Sequence, residues 1–194
     1  EHTWSESNQL TQRQINRSHY GRFYPTLHLN WQLKDNQNLA LAANWGIERP
    51  NFNDLNPFRI YTSTTNYMTG NPYLAAAYTC NVEINYSNGK GLYAVLYNNY
   101  GKGETGWRTQ FLENGSQVTG PYDGLHHEKT GFYANYNRNV LTWLNLNIGG
   151  EVYYYDSHSD YQTDVLQING WGRRAEGSLS FLLNRQKTLI AEIN

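Results

Sequence analysis

The chain has 194 residues, of which 15% are aromatic and only 16% are charged. So many aromatic side chains and so few charges exclude a solvated, disordered chain, and a formal net charge of -1 offers no basic surface for nucleic acid. No apolar run reaches the roughly 20 residues of a membrane-spanning helix, which leaves soluble folds and membrane sheets of alternating strands.

The first part of the chain predicts a loop followed by a hairpin. Residues 1–18 are polar and show no sustained period, so they predict a loop. Residues 19–33 alternate strictly, and a short turn at 35–38 leads into a second alternating run that ends at Trp45. One side of the first run carries Leu27, Leu29, Trp31 and Leu33.

A long polar connection, residues 46–74, follows this hairpin. Its three prolines lie among Asn, Asp, Thr and Gly, so neither a helix nor a strand ladder can run through it. It also carries Tyr61, Tyr67 and Tyr73, and a disordered linker would lack such aromatic residues. The composition therefore predicts an ordered surface loop.

The remaining segments alternate between strands and turns. The Asn88-Gly89 pair is a strong type I′ hairpin signal between strands at 78–86 and 92–100. On the second of these strands the alternation is blurred and does not identify the apolar side. Further strands are predicted around 132–136 and at 144–154, 175–183 and 189–193, and a short hairpin turn is predicted at 113–116 within the segment 101–127.

The lengths of the connections alternate as well. Short turns are predicted at 35–38, 88–90, 138–142 and 184–187, and long loops at 46–74, 101–127 and 156–170. Short turns on one rim and long loops on the other are typical of outer-membrane barrels. The predicted fold class is therefore all-β, an antiparallel up-and-down meander that forms part of a transmembrane outer-membrane β-barrel.

Two short proline-containing motifs carry a family resemblance. Glu48-Arg49-Pro50, the run N-D-L-N-P-F at 53–58, Tyr61, and Gly70-Asn71-Pro72 with Leu74 occur in this order. Together they resemble the signature of the outer-membrane protein β-barrel family of Bacteroidetes TonB-dependent receptors. Seven residues match the family pattern and are expected to shape the loop: Arg49, Pro50, Asn56, Pro57, Gly70, Asn71 and Pro72.

The resemblance implies a location and a function. Residues 1–194 would be a fragment of the C-terminal barrel of a receptor in the outer membrane of a Gram-negative bacterium, with the plug domain and the remaining strands absent. Its partners would be outer-membrane lipid, the TonB system through parts outside this chain, and a small nutrient ligand captured by the long outer loops. No G-x-S-x-G, P-loop or Cys/His nucleophile signature occurs in the sequence, so we predict no enzyme activity and no cofactor, and the net charge argues against a nucleic-acid partner.

Aromatic residues in the long loops are the ligand-binding candidates, namely Tyr61, Tyr67, Tyr73, Trp107 and Tyr122. The alternative role for such residues is to anchor the rim of a barrel in the lipid headgroup layer. A different class of protein also stays open, a soluble or surface-exposed, lectin-like β-sheet module with an aromatic-rich binding surface. The outward apolar residues distinguish the two, because a soluble sheet needs a second layer to cover them.

Catalytic and metal-binding chemistry has weaker support. Five carboxylates, Glu48, Asp54, Glu104, Asp123 and Asp164, are predicted in loops, and a glycan-active enzyme would need two of them across a cleft. His126 and Glu128 could share a metal ion on one side of a strand, and so could the run Asp156, His158 and Asp160. We favour solvated polar segments in both places and predict no metal site. An open sheet of this kind would expose its edges and its apolar face to water, so we expect the isolated chain to self-associate.

Overall fold

A computed structural model of the chain describes residues 2–9, 14–21, 23–159, 167–182 and 190–193. The predicted turn at 184–187 lies outside these residues, as do Asp160 and Asp164. No helix in the described ranges is long and apolar enough to cross a membrane. The elements in chain order are β1 (His2–Gln9), β2 (Gln14–Gly21), β3 (Thr26–Lys34), β4 (Gln37–Glu48), α1 (Phe52–Leu55), β5 (Ile60–Tyr61), β6 (Asn66–Met68), β7 (Ala77–Ser87), β8 (Leu92–Phe111), β9 (Gln117–Leu141), β10 (Leu144–Ser159), β11 (Gln167–Leu182) and β12 (Ile190–Ile193).

The main sheet is an antiparallel meander. Its strands lie in the order β3, β4, β7, β8, β9, β10, β11, β12, so neighbours along this path follow each other in the chain apart from the two short strands β5 and β6. This confirms the predicted fold class. The expected loop at 1–18 is wrong, because β1 and β2 form an antiparallel pair from His2 opposite Gly21 to Gln9 opposite Gln14. Backbone pairing needs no apolar face, so strands with polar side chains on both sides escape a search for alternation.

The register separates the side chains into an apolar face and a polar face. One cross-strand row, which we call the apolar row, runs through Leu29, Leu41, Ile84, Leu96, Phe132 and Val152 on six neighbouring strands. Leu96 and Phe132 are each 50% exposed, so no layer of described residues covers them. The blurred alternation on β8 is thereby resolved, since Leu92, Ala94 and Leu96 lie on the apolar face and Tyr93, Val95 and Tyr97 on the other.

Two predicted loops are largely strand. The β8–β9 ladder continues to Phe111 opposite Gln117, so the long loop predicted at 101–127 is wrong, although its predicted tip turn is present at 112–116. The glycines of this segment predict a loop, but in the structure they lie at β-bulges. The register shifts between Lys102 and Gly106, and Gly103 has a φ of 75°. Likewise β10 and β11 remain paired as far as His158 opposite Gln167, so most of the loop predicted at 156–170 is replaced by strand.

Two short turns differ in detail from the predictions. The hairpin after β7 turns through residues 88–91, with φ positive at Gly89 and Gly91, rather than through a two-residue type I′ turn. The Asn88 side chain causes the difference, because its Oδ1 accepts from the backbone N–H of Lys90 and of Leu92. Strand β9 continues to Leu141, so the turn predicted at 138–142 contracts to residues 142–143.

Candidate functional site

The connection between β4 and β7, residues 49–76, folds on itself. It begins with Arg49 and Pro50 after the end of β4, and the Asn51 side chain caps α1 by accepting from the backbone N–H of Asp54 at 3.0 Å. The chain then returns, and the N–H of Gly70 donates to the carbonyl of Asn56 at 2.9 Å. A Cβ atom on Gly70 would clash with the Asn56 carbonyl oxygen and would lie 2.6 Å from the Asp54 carbonyl oxygen, so only glycine fits at this position.

The other motif residues lie at the same closure. The Thr69 hydroxyl donates to the Pro57 carbonyl at 3.0 Å. The N–H of Asn71 donates to the Asp54 carbonyl at 2.6 Å, and the Asn71 side chain accepts from the N–H of Tyr73 across the turn at Pro72. The N-D-L-N-P-F motif at 53–58 and the Gly70-Asn71-Pro72 motif are thereby joined by backbone hydrogen bonds.

This loop docks on the projecting part of the β8–β9 hairpin. Strand β6 pairs in parallel with β9, with Tyr67 opposite Val118, and β5 pairs with the other edge of β6. At the end of the loop the N–H of Ala75 donates to Asp123 Oδ2 at 2.9 Å. The adjacent residues Leu74, Ala76 and Ala77 are buried at 7% exposure or less. The loop and the hairpin therefore form one small sheet in the order β5, β6, β9, β8, which we call the extension.

One face of the extension carries two arginines and three tyrosines. Tyr61 lies opposite Tyr67, with ring centroids 5.5 Å apart, and the Arg59 guanidinium lies 4.8 Å from the centre of the Tyr67 ring. Arg108 lies opposite Gly120, and Tyr122 is two residues further along β9. The centre of the Tyr122 ring lies 5.7 Å from the Arg108 guanidinium. These residues, Arg59, Tyr61, Tyr67, Arg108 and Tyr122, form what we call the arginine–tyrosine face.

The register explains why these side chains share a face. Tyr67 lies opposite Val118, and Val118 lies opposite Gln110. Arg108 is two residues from Gln110 on β8, so its side chain lies on the same face as that of Tyr67. A hydrogen bond with Tyr61 raises the pKa of Arg59 above its usual value. The guanidinium is charged at neutral pH, as arginine is throughout proteins. The face therefore offers cationic planar groups beside aromatic rings, an arrangement suited to non-covalent recognition.

The five predicted ligand-binding residues are not all brought together. Tyr61, Tyr67 and Tyr122 share the arginine–tyrosine face, whereas Trp107, opposite Pro121, points to the other side of the extension. Tyr73 lies in the turn before Leu74 and is 68% exposed. The prediction that Trp107 and Tyr122 lie in a loop is wrong, because both are on the ladder of β8 and β9.

Sequence reasoning missed Arg59 and Arg108. A signal for Arg59 exists, since it precedes Tyr61 by two residues, and an extended chain places side chains of that spacing on one side. No comparable signal exists for Arg108. Its position beside Tyr122 depends on a hairpin register that two bulges have shifted.

The polar face of the main sheet holds a second cluster of side chains. Lys129 Nζ lies 2.9 Å from Glu151 Oε1 and 4.0 Å from the centre of the Tyr153 ring. The Tyr97 hydroxyl donates to the same carboxylate oxygen. A Cβ atom on Gly131, which lies between the two tyrosines, would approach the Tyr97 hydroxyl to 2.5 Å, so the rings use the space that this glycine leaves.

The carboxylates proposed for glycan hydrolysis have other partners. Glu104 Oε2 lies 2.8 Å from His127 Nδ1, and Asp123 binds the backbone of Ala75. Both residues are on strands, so their predicted loop positions are wrong, and Glu48 is the last residue of β4. Asp54 accepts from the Asn51 side chain at 2.6 Å. Asp54, Glu104 and Asp123 therefore bind structural partners, and no two of the described carboxylates stand out as an acid and a base across a cleft.

The histidines considered for metal binding adopt a different pairing. His126 lies directly opposite His158, with ring centroids 5.0 Å apart, and His158 Nδ1 lies 3.5 Å from Asp156 Oδ2. Within the described parts of the chain, no three His, Cys, Asp or Glu side chains are grouped so that they could hold a metal ion.

Comparisons with known proteins identify relatives of this sheet. Residues 1–194 match the family model described as the outer membrane protein beta-barrel family. The fold is similar to the crystal structure of the siderophore receptor PirA from Pseudomonas aeruginosa, with a TM-score of 0.56 and 16% sequence identity. The similarity covers 88% of this chain and 37% of that receptor chain. Comparison with individual curated protein sequences gave no match. At this identity the structural match shows a shared fold.

Proposed function

Because this chain belongs to the outer membrane protein beta-barrel family, we propose that it forms part of the barrel of a TonB-dependent receptor that takes up a small nutrient ligand. The chain spans 37% of the length of the receptor it matches in fold, so the rest of the barrel, the plug domain and the segment that contacts TonB would lie in other parts of the protein. The assignment to Bacteroidetes stays a prediction from the sequence motifs.

The dimensions of the apolar face support a membrane-spanning role. On β10 the apolar face runs from Leu144 to Tyr154, and ten steps of about 3.3 Å along a strand tilted by about 40° cover roughly 25 Å of membrane. Tyr154 lies beside Trp171, with ring centroids 5.4 Å apart, where this band ends. Such aromatic residues are expected at the level of the lipid headgroups.

The extension supports a role in ligand capture, and its position and its side chains are the observation on which the proposal rests. It continues β8 and β9 beyond the apolar band on the rim that carries the long connections, and it has one face of arginine and tyrosine side chains. The long outer loops of outer-membrane barrels lie outside the cell. The extension would therefore meet a ligand before the ligand reaches the barrel lumen.

The lectin-like alternative requires a second layer that the described residues do not supply. In a soluble module the apolar row would have to be covered, yet Leu96, Phe132 and Val152 remain about half exposed. In a membrane the same residues face lipid and need no protein partner.

The test compares which nutrients disappear from the growth medium. Cells that carry the full-length protein, cells that lack it, and cells that lack TonB are grown in the same medium, and the dissolved compounds are followed by mass spectrometry. At least one compound should be depleted only when both the full-length protein and TonB are present. A depletion profile that is unchanged by loss of the protein, or depletion that proceeds without TonB, would contradict the proposal.

A further inference from the structure

Three side chains on the outward face of β11 form a candidate site of a different kind. We propose that Asn169, Trp171 and Arg173, which we call the β11 stripe, bind the headgroup of a lipid that carries a negatively charged phosphate. The lipid would belong to the outer leaflet, because the stripe lies toward the rim with the long connections. The stripe is separate from the extension, so this inference does not rest on the proposed function.

The register places Arg173 on the lipid-facing side of the sheet. Arg173 lies directly opposite Val152, a member of the apolar row, and the described β10–β11 ladder runs without a register shift. Its neighbour in sequence, Arg174, lies opposite Glu151 and therefore points to the polar face. The apolar row, which has an apolar side chain on six neighbouring strands, thus continues on β11 with a cation.

The depth of Arg173 fits a contact with a headgroup. One pair further toward the outer rim, Tyr154 and Trp171 lie side by side where the apolar band ends on β10. On a strand tilted by about 40°, two residues correspond to a depth of about 5 Å, so the Arg173 backbone lies about that far below this aromatic pair. An arginine at such a depth keeps its methylene groups against the acyl chains while its guanidinium reaches the headgroup layer.

The described neighbours of Arg173 on the outward face are all uncharged. By register they are Gly150, Val152 and Tyr154 on β10 and Trp171 and Ala175 on β11. The Arg173 side chain is itself exposed. Because a guanidinium keeps its charge at neutral pH and binds phosphate through two parallel hydrogen bonds, a phosphate in the headgroup layer would complement it.

The carboxylates on the neighbouring stretches of strand are directed elsewhere. Glu151 and Glu176 point to the polar face, where each is paired with a cation. On the outward face, Asp156 and Glu128 lie opposite each other, two pairs nearer the rim than Arg173 and about 13 Å away along the strands. Neither face of the described sheet therefore offers Arg173 an ionic partner.

The other two side chains of the stripe also suit a lipid headgroup. Trp171 is 77% exposed and meets the Tyr154 ring at an edge, so most of the indole faces the membrane interface, where tryptophan is favoured. Asn169 follows two residues nearer the rim on the same side, is exposed, and can donate and accept hydrogen bonds to headgroup hydroxyls. From Arg173 to Asn169 the stripe spans about 10 Å of depth, which covers the layer between the acyl chains and the outer headgroup.

The test uses the full-length protein, purified in detergent, and measures lipid binding by native mass spectrometry. The probes are phosphatidylglycerol and phosphatidylcholine with identical acyl chains, because the first headgroup is anionic and the second has no net charge. The test variant is R173Q, and R173K keeps the charge but loses the planar fork. The matched control is R174Q, which removes the same charge from the next residue, on the polar face. Heat-modifiable mobility measures the folded fraction of each variant in parallel.

We expect the wild type to bind phosphatidylglycerol more tightly than phosphatidylcholine. R173Q should weaken the binding of phosphatidylglycerol about fivefold, R173K should weaken it less, and R174Q should leave it unchanged. Unchanged binding in R173Q, or an equal loss in R174Q, would overturn the inference. Inorganic phosphate distinguishes a lipid from a free anion: it should not compete with phosphatidylglycerol, and effective competition would overturn the assignment to a lipid.

Discussion

The Tyr153 ring lies over Gly172, its direct partner across the β10–β11 ladder, and occupies the space where a Cβ atom of residue 172 would be. The G172A substitution should therefore displace the ring or the strand and destabilise the barrel by about 1–3 kcal/mol. The measurement is the unfolding midpoint of the full-length protein in detergent, read from its heat-modifiable mobility. G170A is the matched control, because a Cβ atom on Gly170 would meet nothing within 4 Å. Equal midpoints for the two variants would show that the ring does not need the glycine.

The assignment of the two faces can be tested with one charge. Ile148 is in the middle of the apolar stretch of β10, and I148R should cost about 2–4 kcal/mol because it places a charge against lipid near the centre of the bilayer. Ser178, next to the partner of Ile148 on β11, points to the polar face, and S178R should cost much less. The yield of folded protein in outer-membrane fractions measures the difference. A larger loss for S178R would reverse the assignment.

The anchor of the loop is the bond from the Ala75 N–H to Asp123. D123A removes a charged acceptor and should weaken the anchor by about 1.5–3 kcal/mol, whereas D123N keeps an oxygen in place and should weaken it less. Limited proteolysis of whole cells detects the release, because a freed loop is cut within residues 49–76. Identical cleavage rates in D123A and the wild type would mean that buried Leu74, Ala76 and Ala77 hold the loop without this bond.

The Lys129–Glu151 pair on the polar face should be energetically coupled. The two side chains are 31% and 16% exposed, so solvent screens them only in part, and a cycle of K129Q, E151Q and the double variant should give a coupling energy of about 1 kcal/mol. The unfolding midpoint of the full-length protein supplies the energies. Additive effects within a few tenths of a kcal/mol would show that the contacts of Lys129 with the tyrosine rings matter more than its charge pair.

The exposed apolar row predicts the behaviour of the 194-residue chain produced alone. Without detergent it should self-associate, because side chains such as Leu96 and Phe132 are about half exposed on a face that needs lipid. Sedimentation velocity at micromolar concentration measures its mass. A stable monomer would refute this expectation and would revive the lectin-like alternative.

Alternation of side chains predicts β4, β7 and β10, because each has one apolar side. It also predicts β3, but the predicted strand at 19–33 starts too early, since β2 ends at Gly21 and β3 begins at Thr26. The pairing that completes the apolar row could then follow from the short turns, which fix the register of neighbouring strands. The same reasoning fails for β1 and β2, whose ladder has no apolar side in the sequence. It also fails for the ends of β8 and β9, since glycine signals both a loop and a bulge.

The candidate site shows the same limit. Composition alone identifies Tyr61 and Tyr67 as candidates, because aromatic residues stand out in a polar loop. Their grouping with Tyr122 and Arg108 depends on the parallel pairing of β6 with β9, which no local pattern encodes. A closure of this kind joins residues about 50 positions apart and is visible only in three dimensions.

The bulges around Gly103 and Gly124 separate the extension from the membrane strands. On one side of the bulges the ladder keeps a regular register, which places the apolar side chains on one face of the sheet. On the other side the loop and the hairpin are bonded mainly to each other. Insertions, deletions or wholesale exchange of residues 105–122 together with 49–76 would leave the pairing of the membrane strands in place. The extension of such a protein can therefore be exchanged, in evolution or by grafting in the laboratory, without redesign of its membrane strands.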